Sequence, residues 1–456
     1  MTTLISPEAR QDLLGVVAGW CARHAQADSL ERAETLAEEA RQLVGQAVLE
    51  AGLHAQGGQA TYQGRHRPCS CGQQARFVNY RPRWIRSLCG EVRLTRAYYH
   101  CAACHTGQHP WDQAQGLTDK PETPRLKGVV CQVMGRLVYA EGVVLLADLC
   151  RVSLEESTAE AIVGEVGGRI RAQAQAQVET LQTTSAQAMA AWLLTETGAQ
   201  TPVSPVAVRA VQGRRLYVGA DATTAHIDGS WHNVQNGIVF SVEPDAQGRD
   251  TMRERAYLAG RMDMDSLGWR LRRLAATWNV GAYAEVVFLA DGAPCNWNLA
   301  ATHFPQALPV LDFWHASEHV WQLSRVLYRQ DDPAQKAQGE QWATEQAEAL
   351  KLQGPGPLLR ALRRRQGKTE AQKEALRQAR HYFTTNAARM DYPTHLAAGR
   401  MIGSGPVEAA CKSVVGVRLK QAGMRWSNAG ADAVLAVRTT LLNGEGTRLA
   451  EFARAA

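Results

Sequence analysis

The sequence lacks any stretch of about 18 or more consecutive apolar residues, so it predicts no membrane span and no membrane partner. Its first twenty residues contain no cationic run ahead of an apolar stretch, so we expect no secretion signal and a cytoplasmic location. The sequence is also not poor in hydrophobic residues: 45% of the 456 residues are hydrophobic and 21% are charged. This composition argues against extended disorder and fits a globular chain of about two to four domains.

Disulfides are not expected either, because the ten cysteines lie in a chain without a secretion signal. Four of them form two close pairs, Cys69 with Cys71 and Cys101 with Cys104. Pairs of this kind in a reducing compartment indicate metal ligands, and four thiolates make a closed, structural zinc site. The first pair has one intervening residue instead of the usual two, which leaves Cys89 as a possible substitute ligand.

Positive charge is unevenly distributed. Residues 351–456 contain 18 Lys/Arg against 7 Asp/Glu, a balance of +11, so the preceding 350 residues sum to about −5 of the net +6. The asymmetry favours a polyanionic partner held mainly by the C-terminal part, although solvated helix faces would give the same count.

The chain changes character along its length, and we predict four regions. Residues 1–60 have helical spacing. Residues 61–120 are rich in Arg, Tyr, Gly and Cys and alternate as strands do, which predicts a zinc-ribbon module. Residues 121–205 are again helical and end in a Pro-containing linker at 201–205. Residues 206–456 form the last region, with a charged, all-helical insertion at about 330–398.

The order of elements in the last region is informative. Strands are predicted at 216–221, 237–242 and 255–259, a helix at 266–278, a strand at 285–290, a further helix, a strand at 308–311 and a helix at 315–328. Gly403 to Pro406 then open a long helix. Three strands followed by alternating helices and strands is the order of an RNase H-like domain. The predicted fold class is therefore multidomain α+β: a helical N-terminus with a zinc ribbon, then an RNase H-like α/β domain with a helical insertion.

Two aspartates follow apolar strands of this region. Asp221 ends the first strand and Asp291 follows the fourth, which places both at the carboxyl ends of predicted neighbours, where sites form in open α/β sheets. Two buried carboxylates repel each other unless a cation joins them. Glu408, in the first turn of the last long helix, would complete a three-acid site for two Mg²⁺ ions. Taken alone, Glu408 is better explained by a structural role, because an acid in the first turn favours the helix dipole and Lys412 is its partner four residues later.

Around these acids the sequence resembles bacterial insertion-sequence transposases of the IS-Kra type, which are related to the Mutator-like superfamily. The resemblance spans about residues 68–442. Four stretches carry it: Tyr217-Val218-Gly219-Ala220-Asp221, Phe288-Leu289-Ala290-Asp291-Gly292, Leu311-Asp312-Phe313-Trp314-His315 and Gly403-Ser404-Gly405-Pro406-Val407-Glu408, the last continuing from Arg418 to Ser427.

The resemblance implies a transposase of the Asp-Asp-Glu class with Asp221, Asp291 and Glu408 as catalytic ligands of Mg²⁺ or Mn²⁺. It implies that Asp312-x-x-His315 is a signature that brings His315 near the active site. It also favours a zinc site of the Cys-x-Cys-Gly form. Such a bacterial enzyme would cleave the ends of its element and join them to target DNA, as a homodimer or larger assembly on double-stranded DNA.

Several basic and aromatic residues are candidates for DNA contact. Lys412, Arg418, Lys420 and Arg425 follow Glu408, and Trp426 could stack on an unpaired base. In the cysteine module Arg83 and Arg86 could bind phosphates. A helix-turn-helix is conceivable at 143–168, but its acidic second helix favours packing or dimerisation over base recognition.

Three other interpretations stay open. A nuclease or resolvase of the same fold would share the acids without strand transfer, and a domesticated DNA-binding protein would have lost catalysis. His315-Ala316-Ser317-Glu318-His319 also matches the inverted zinc-peptidase pattern, a short match that leaves Asp221 and Asp291 unexplained.

Overall fold

The computed structural model of the protein describes residues 6–24, 29–183 and 215–454, so the predicted linker at 201–205 lies outside the described residues. The chain divides into two compact units. The first comprises Met1–Lys127, Leu146–Ser153 and Ala453–Ala456, and the second Gly128–Leu145 and Leu154–Phe452. Within the described ranges, no helix combines the length and the apolarity that crossing a membrane would require.

The first unit combines two long helices with a small antiparallel sheet. The helices are α1 (Pro7–His24) and α2 (Leu30–Gln56), and α2 is capped by the Ser29 hydroxyl, which accepts from the Arg32 amide at 3.2 Å. The strands β1 (His66–Pro68), β2 (Gln74–Ser87), β3 (Gly90–His100) and β4 (Gly107–Gln108) pair in that order. Strand-like sequence was predicted across 61–120, and the long β2–β3 hairpin accounts for it. A short helix, α3 (Pro110–Ala114), follows β4.

Helices α4 (Pro124–Met134), α5 (Tyr139–Cys150) and α6 (Glu156–Thr183) occupy the region predicted to be helical after the cysteine module. Helix α6 lies in the second unit, where its Gly167 makes a close crossing with a later helix: a Cβ at this position would fall 2.3 Å from the carbonyl oxygen of Ala433. The acidic second helix of the predicted helix-turn-helix therefore serves packing in this chain.

A five-stranded mixed sheet forms the centre of the second unit. Its strands are β5 (Arg215–Ile227), β6 (Ser230–Pro244), β7 (Asp250–Gly260), β8 (Glu285–Ala290) and β9 (Leu308–Leu311), in the order β7-β6-β5-β8-β9. The first three pair antiparallel, whereas β8 and β9 run parallel to β5. All five predicted strands are confirmed, and the two apolar runs, β8 and β9, have the predicted bounds. The first three strands are longer than predicted, and β5 and β6 extend up to a tight Asp228-Gly229 turn, with φ of 46° and 77°, that joins them.

Helices cover this sheet in the predicted sequence order. They are α7 (Met264–Ala276), α8 (Pro294–His303), α9 (Phe313–Leu327), α10 (Pro333–Gln353), α11 (Pro355–Arg364), α12 (Glu370–Thr385), α13 (Tyr392–Ala397), α14 (Gly405–Ala410), α15 (Val417–Leu419), α16 (Asn428–Leu442) and α17 (Leu449–Phe452). Helices α10–α13 form the predicted helical insertion. The insertion is not an independent module, because Leu358, Leu376 and Phe383 belong to the same buried cluster as Val218 and Phe288 of the sheet.

The long helix predicted after Pro406 is interrupted. Between α14 and α15 the segment Cys411–Gly416 takes π-helical geometry, a widened turn that is often found at functional sites. The predicted single helix is therefore wrong in detail, because hydrophobic spacing cannot distinguish a helix from one with an inserted residue.

A buried ion network fixes the chain where it returns from the insertion. Arg215 contacts Asp250 at 2.7 Å and also pairs with Glu285, while its other nitrogen donates to the Ala398 carbonyl at 2.7 Å. Arg400 completes the network with a 2.6 Å contact to Glu285. Each of these charges has a partner of opposite sign, which offsets the cost of removing it from water. The network holds the segment leading to α14 at the start of β5 and β8.

Candidate active site and cysteine cluster

Asp221 and Asp291 occupy equivalent positions on neighbouring parallel strands. The β5–β8 register pairs Gly219 with Leu289, and each aspartate comes two residues further along its own chain segment. Adjacent strands lie about 4.8 Å apart, so the two aspartates share one edge of the sheet, at the carboxyl ends of the strands. Both are half-buried.

Glu408 reaches the same edge because α14 packs directly on β5. A Cβ at Gly219 would fall 2.5 Å from Cγ2 of Val407, so only glycine lets the helix approach this closely. Val407 is the residue before Glu408, and its burial against Gly219 leaves the Glu408 side chain exposed. The glycine of the Tyr-Val-Gly-Ala-Asp stretch thus has a packing reason.

The three acids interact electrostatically. Burial raises the pKa of Asp221 above its usual range, and the negative charges of Asp291 and Glu408 raise it further. The amide of Ala222 and the thiol of Cys411 oppose this shift by donating to the Asp221 carboxylate. In the described parts of the chain none of the three acids forms an ion pair with a basic side chain, and Lys412 does not pair with Glu408. Uncompensated carboxylates of this kind suit a divalent cation with oxygen ligands.

The acids are more widely spread than the ligands of one small ion. Among the described residues, only the four cysteines described below form a group of three or more candidate ligands whose atoms all lie within 4.8 Å of one another. At least one pair of the three carboxylates is therefore further apart than that distance.

Asp291 is oriented by the start of α8. Its Oδ1 accepts from the Ala293 amide at 3.0 Å and from the Asn296 side-chain amide at 2.8 Å. Asn296 is buried, so this contact fixes the carboxylate from below the site. Sequence reasoning missed Asn296, although its position five residues after Asp291, in the first turn of a helix opened by Pro294, was a usable signal.

Cys411 is a second residue that sequence reasoning missed. It is buried in the first turn of the π-helical segment, and its Sγ donates to Oδ2 of Asp221 at 3.5 Å. Burial raises the pKa of the Cys411 thiol to about 12, and the neighbouring Asp221 charge adds to that effect. The thiol is therefore protonated at neutral pH and acts as a hydrogen-bond donor that orients Asp221.

Asp312 links the end of β9 to the turn before α14. It is buried, caps α9 by accepting from the Trp314 amide at 2.8 Å, and accepts a short hydrogen bond from the Ser404 hydroxyl. The Phe313 amide adds a 2.8 Å bond to the Ile402 carbonyl. Asp312 thus holds in place the turn from which the Glu408 helix starts.

His315 lies one turn from a more enclosed histidine. The rings of His315 and His319 meet edge to face with centroids 5.1 Å apart, and His319 packs against Tyr382 of the insertion at 3.9 Å. Burial lowers the pKa of His319, and the charge of Asp291 partly offsets that effect. Tyr382 also packs on Gly292, where a Cβ would fall 2.4 Å from its ring. The insertion therefore contributes an aromatic wall beside Asp291.

The geometry around residues 315–319 does not support the zinc-peptidase interpretation of this stretch. Within the described ranges, no group of three close candidate ligands includes His315 or His319. Stacking on Tyr382 instead accounts for the position of His319.

The predicted DNA contacts divide into exposed and buried residues. Lys412, Lys420 and Arg425 are exposed, and Lys420 donates to Thr223, two residues after Asp221. Arg418 and Trp426 are 1% and 9% exposed, so their side chains are buried in this fold and are not presented at its surface.

Arg418 and Trp426 stabilise the fold together. The Arg418 guanidinium donates to the Met134 carbonyl at 2.9 Å and lies over the rings of Tyr139 and Trp426, 5.0 and 4.8 Å from their centroids. Burial in this aromatic sandwich lowers the pKa of Arg418. Neither side chain is free to reach a phosphate or a base.

The predicted DNA contacts in the first unit are also engaged within the protein. Arg83 donates to Asp112 at 2.7 Å and to the carbonyls of Thr118 and Lys120 at 2.5 and 2.6 Å, so its guanidinium is occupied by contacts within the first unit. Arg86 forms a partly exposed pair with Glu91 at 2.8 Å, and such pairs exchange readily with other partners.

The four paired cysteines form a compact cluster in the first unit. Cys69 Sγ lies 3.5 Å from Cys104 Sγ, and Cys71 Sγ lies 3.7 Å from Cys101 Sγ. Four thiolates around a zinc ion at about 2.3 Å would stand roughly 3.8 Å apart, so the cluster is compatible with a structural zinc site. Cys89 lies at the β2–β3 turn, at the opposite end of the hairpin, so it is not a substitute ligand.

A scan against protein-family models finds no match to this chain, and a search of curated proteins finds none either.

Proposed function

We propose that the protein is a DNA transposase that uses Asp221, Asp291 and Glu408 to cleave and join phosphodiester bonds. The observation that carries this proposal is the placement of the three acids: two at equal register on parallel neighbours, and the third on a helix packed against one of them through Gly219. Acids that are distant along the chain converge at one edge of the sheet, and none of them has a basic partner in the described residues.

The topology supports the proposal. A sheet in which the first three strands run antiparallel and the fourth and fifth add parallel to the first, in the order 3-2-1-4-5, is the arrangement of RNase H-like domains. The insertion between β9 and α14 agrees with the resemblance to insertion-sequence transposases. We infer from both that residues 215–454 form the catalytic part.

The three side chains fit Mg²⁺ or Mn²⁺, because all of them offer carboxylate oxygens. Asp221 is also half-buried without a basic partner in the described residues, so a cation would balance its charge. Two such ions, about 4 Å apart, activate the attacking oxygen and stabilise the leaving one. Side chains that bind two metal ions stand further apart than side chains that bind one ion. The spacing of the three carboxylates agrees with two ions. Asn296 and Cys411 orient Asp291 and Asp221, and exposed Lys420 is available to a DNA phosphate beside them.

The proposed reaction has two steps of one kind. Water attacks the phosphodiester at each element end and releases a 3′ hydroxyl, and that hydroxyl then attacks a phosphodiester of the target DNA. Both are in-line displacements on phosphorus, so the same acids serve both.

In the first unit we propose that a structural Zn²⁺ bound by Cys69, Cys71, Cys101 and Cys104 stabilises a module for recognising double-stranded DNA ends. We also propose that a homodimer or larger assembly handles the two ends together.

The test compares purified wild-type protein with Asp291→Asn on labelled DNA containing the flanks of the coding region, with and without Mg²⁺. We expect Mg²⁺-dependent cleavage by the wild type and a loss of about 100-fold or more in the variant, because a cation ligand is weakened. Glu318→Gln is the matched control: it neutralises an exposed acid that only the zinc-peptidase interpretation needs. Equal cleavage by wild type and Asp291→Asn would remove Asp291 from the mechanism.

Product analysis separates the neighbouring interpretations. Joined products with unlabelled target DNA indicate a transposase, whereas cleavage without joining indicates a nuclease or resolvase. DNA binding without cleavage at any Mg²⁺ or Mn²⁺ concentration indicates a non-catalytic DNA-binding protein.

A further inference from the structure

A polar cavity in the second unit lies outside the group of three acids. It has a volume of about 140 Å³, roughly ten times the ~15 Å³ that one water needs. Its walls come from α6, the end of β7, α7 and α16, with the chain end near Phe452 closing one side. None of the residues that we assign to cleavage lines it.

The lining carries an excess of positive charge. Five arginines face two acids, Asp432 and Glu445; the arginines are Arg171, Arg261, Arg270, Arg273 and Arg448. Asp432 pairs with Arg171 at 3.1 Å and Arg261 at 3.2 Å, and Glu445 pairs with Arg448 at 2.5 Å. In the described residues, two of the five arginines have no carboxylate within ion-pair distance.

These two are Arg270 and Arg273, one turn apart on α7. Their partners are neutral: Arg270 donates to Gln175 at 3.3 Å and Arg273 to Gln177 at 2.6 Å. The Nε atoms of both are buried and have no acceptor. Burial lowers the pKa of each guanidinium, and the charges of nearby acids oppose that shift only in part: Asp432 acts on Arg270, and Glu445 acts on Arg273.

Five guanidinium groups against two carboxylates leave an excess of positive charge in the cavity lining, which is costly away from water unless a ligand neutralises it. Guanidinium groups present several N–H donors in a planar fork, which matches the oxygens of a phosphate group. We infer that this cavity binds a phosphate-type oxyanion between Arg270 and Arg273.

Two sources can supply that group, a phosphate of the DNA backbone or a free phosphate. The sheet register aligns Ala259 of the cavity wall with Asn236 and, through it, with Asp221. The wall is thus two strand spacings, about 10 Å, from the proposed cleavage site. The inference itself does not depend on cleavage chemistry.

The test measures thermal unfolding of the full chain in increasing inorganic phosphate, with chloride adjusted to keep the ionic strength constant. We expect a saturable rise in Tm, roughly 5 °C at 100 times the Kd, for the wild type. The variant Arg270→Gln/Arg273→Gln should lose that rise, and without phosphate it should unfold no earlier than the wild type, because it lacks two charges whose burial is costly.

Arg377→Gln is the control, since it removes an exposed arginine elsewhere in the unit. Phosphate should stabilise it as it does the wild type. An unsaturable response in the wild type, or an equal rise in the double variant, would overturn the inference. Should the double variant not fold, ³¹P line broadening with the single variant Arg270→Lys, which keeps the charge but not the fork, must show weaker phosphate binding than the wild type.

A second measurement identifies the source. If the site holds a DNA phosphate, the salt dependence of duplex binding should fall by about one counterion in the double variant. An unchanged slope together with a lost phosphate response assigns the site to a free anion. This readout involves no cleavage, so its failure is distinguishable from failure of the transposase proposal.

Discussion

Asp221 is the acid of the candidate site whose ionised form is disfavoured by burial and by the neighbouring negative charges. Its carboxylate is half-buried between two other acids, and its hydrogen-bond donors are a backbone amide and the Cys411 thiol. A group whose pKa is raised by folding destabilises the folded state once the pH is high enough to ionise it. The residue is therefore expected to favour cation binding over stability, as functional residues often do.

This reasoning predicts that Asp221→Asn stabilises the protein when metal is chelated. At pH 7 in EDTA, Tm should rise by roughly 1–3 °C, because the substitution removes the buried charge and keeps an acceptor oxygen. The gain should shrink as the pH falls through the raised pKa of Asp221 and vanish below the pKa of an unfolded aspartate, where the wild type is neutral too.

The control for this prediction is Asp331→Asn. Hydrogen bonds from Arg329 lower the pKa of this exposed aspartate, so its loss should not raise Tm. A lower Tm for Asp221→Asn at pH 7, with no dependence on pH, would show that the carboxylate is compensated in the folded state.

At the scale of elements, the joint between β9 and α14 decides where Glu408 lies. Asp312 is fixed as the cap of α9 and holds Ser404, so two segments that are distant in sequence share one buried hydrogen bond. We classify Asp312 as a positioning residue, since its carboxylate is occupied by these contacts.

We expect Asp312→Ala to reduce Mg²⁺-dependent DNA cleavage by about 10–100-fold and to raise the Mg²⁺ concentration for half-maximal cleavage. Asp312→Asn, which keeps an acceptor for Ser404, should recover much of the activity. Ser404→Ala should mimic Asp312→Ala, and the double variant should be no worse than either, because one interaction is lost in all three.

Asp332→Ala provides the matched comparison. Asp332 caps α10 in the same way, through the Ala334 amide at 3.0 Å, but it is only partly buried and has no described hydrogen bond to the Glu408 segment. An equal rise in the Mg²⁺ requirement for Asp332→Ala would mean that helix capping in general, and not the Ser404 contact, explains the effect.

Elements of this unit were predictable where one local signal dominated. The apolar runs that form β8 and β9 have the predicted bounds, and the Asp-Gly turn accounts for the β5–β6 hairpin. The π-helical segment was not predictable, because its register follows from packing on β5 and β6. The burial of Arg418 and Trp426 was not predictable for a similar reason: their partners, Met134 and Tyr139, are about 280 residues earlier in the chain.

At the scale of the whole molecule, the cysteine cluster and the acid site belong to different compact units. The small sheet of the first unit buries few apolar side chains around the cysteines. The part of the unit around the cysteines therefore gains from a further constraint, and a metal ion bound by the four thiolates would supply one. The larger unit has an extensive core of its own.

Removing zinc should therefore affect one unit selectively. We expect about one zinc per chain by elemental analysis, and a chelator or Cys104→Ser should lower the unfolding temperature of the first unit while the main transition of the second unit stays in place. Cys89→Ser is the control, because Cys89 lies away from the cluster and should leave both zinc content and unfolding unchanged. Loss of zinc without any effect on either transition would make the metal dispensable for folding, whereas simultaneous unfolding of both units would show that the acid site depends on the cysteine module.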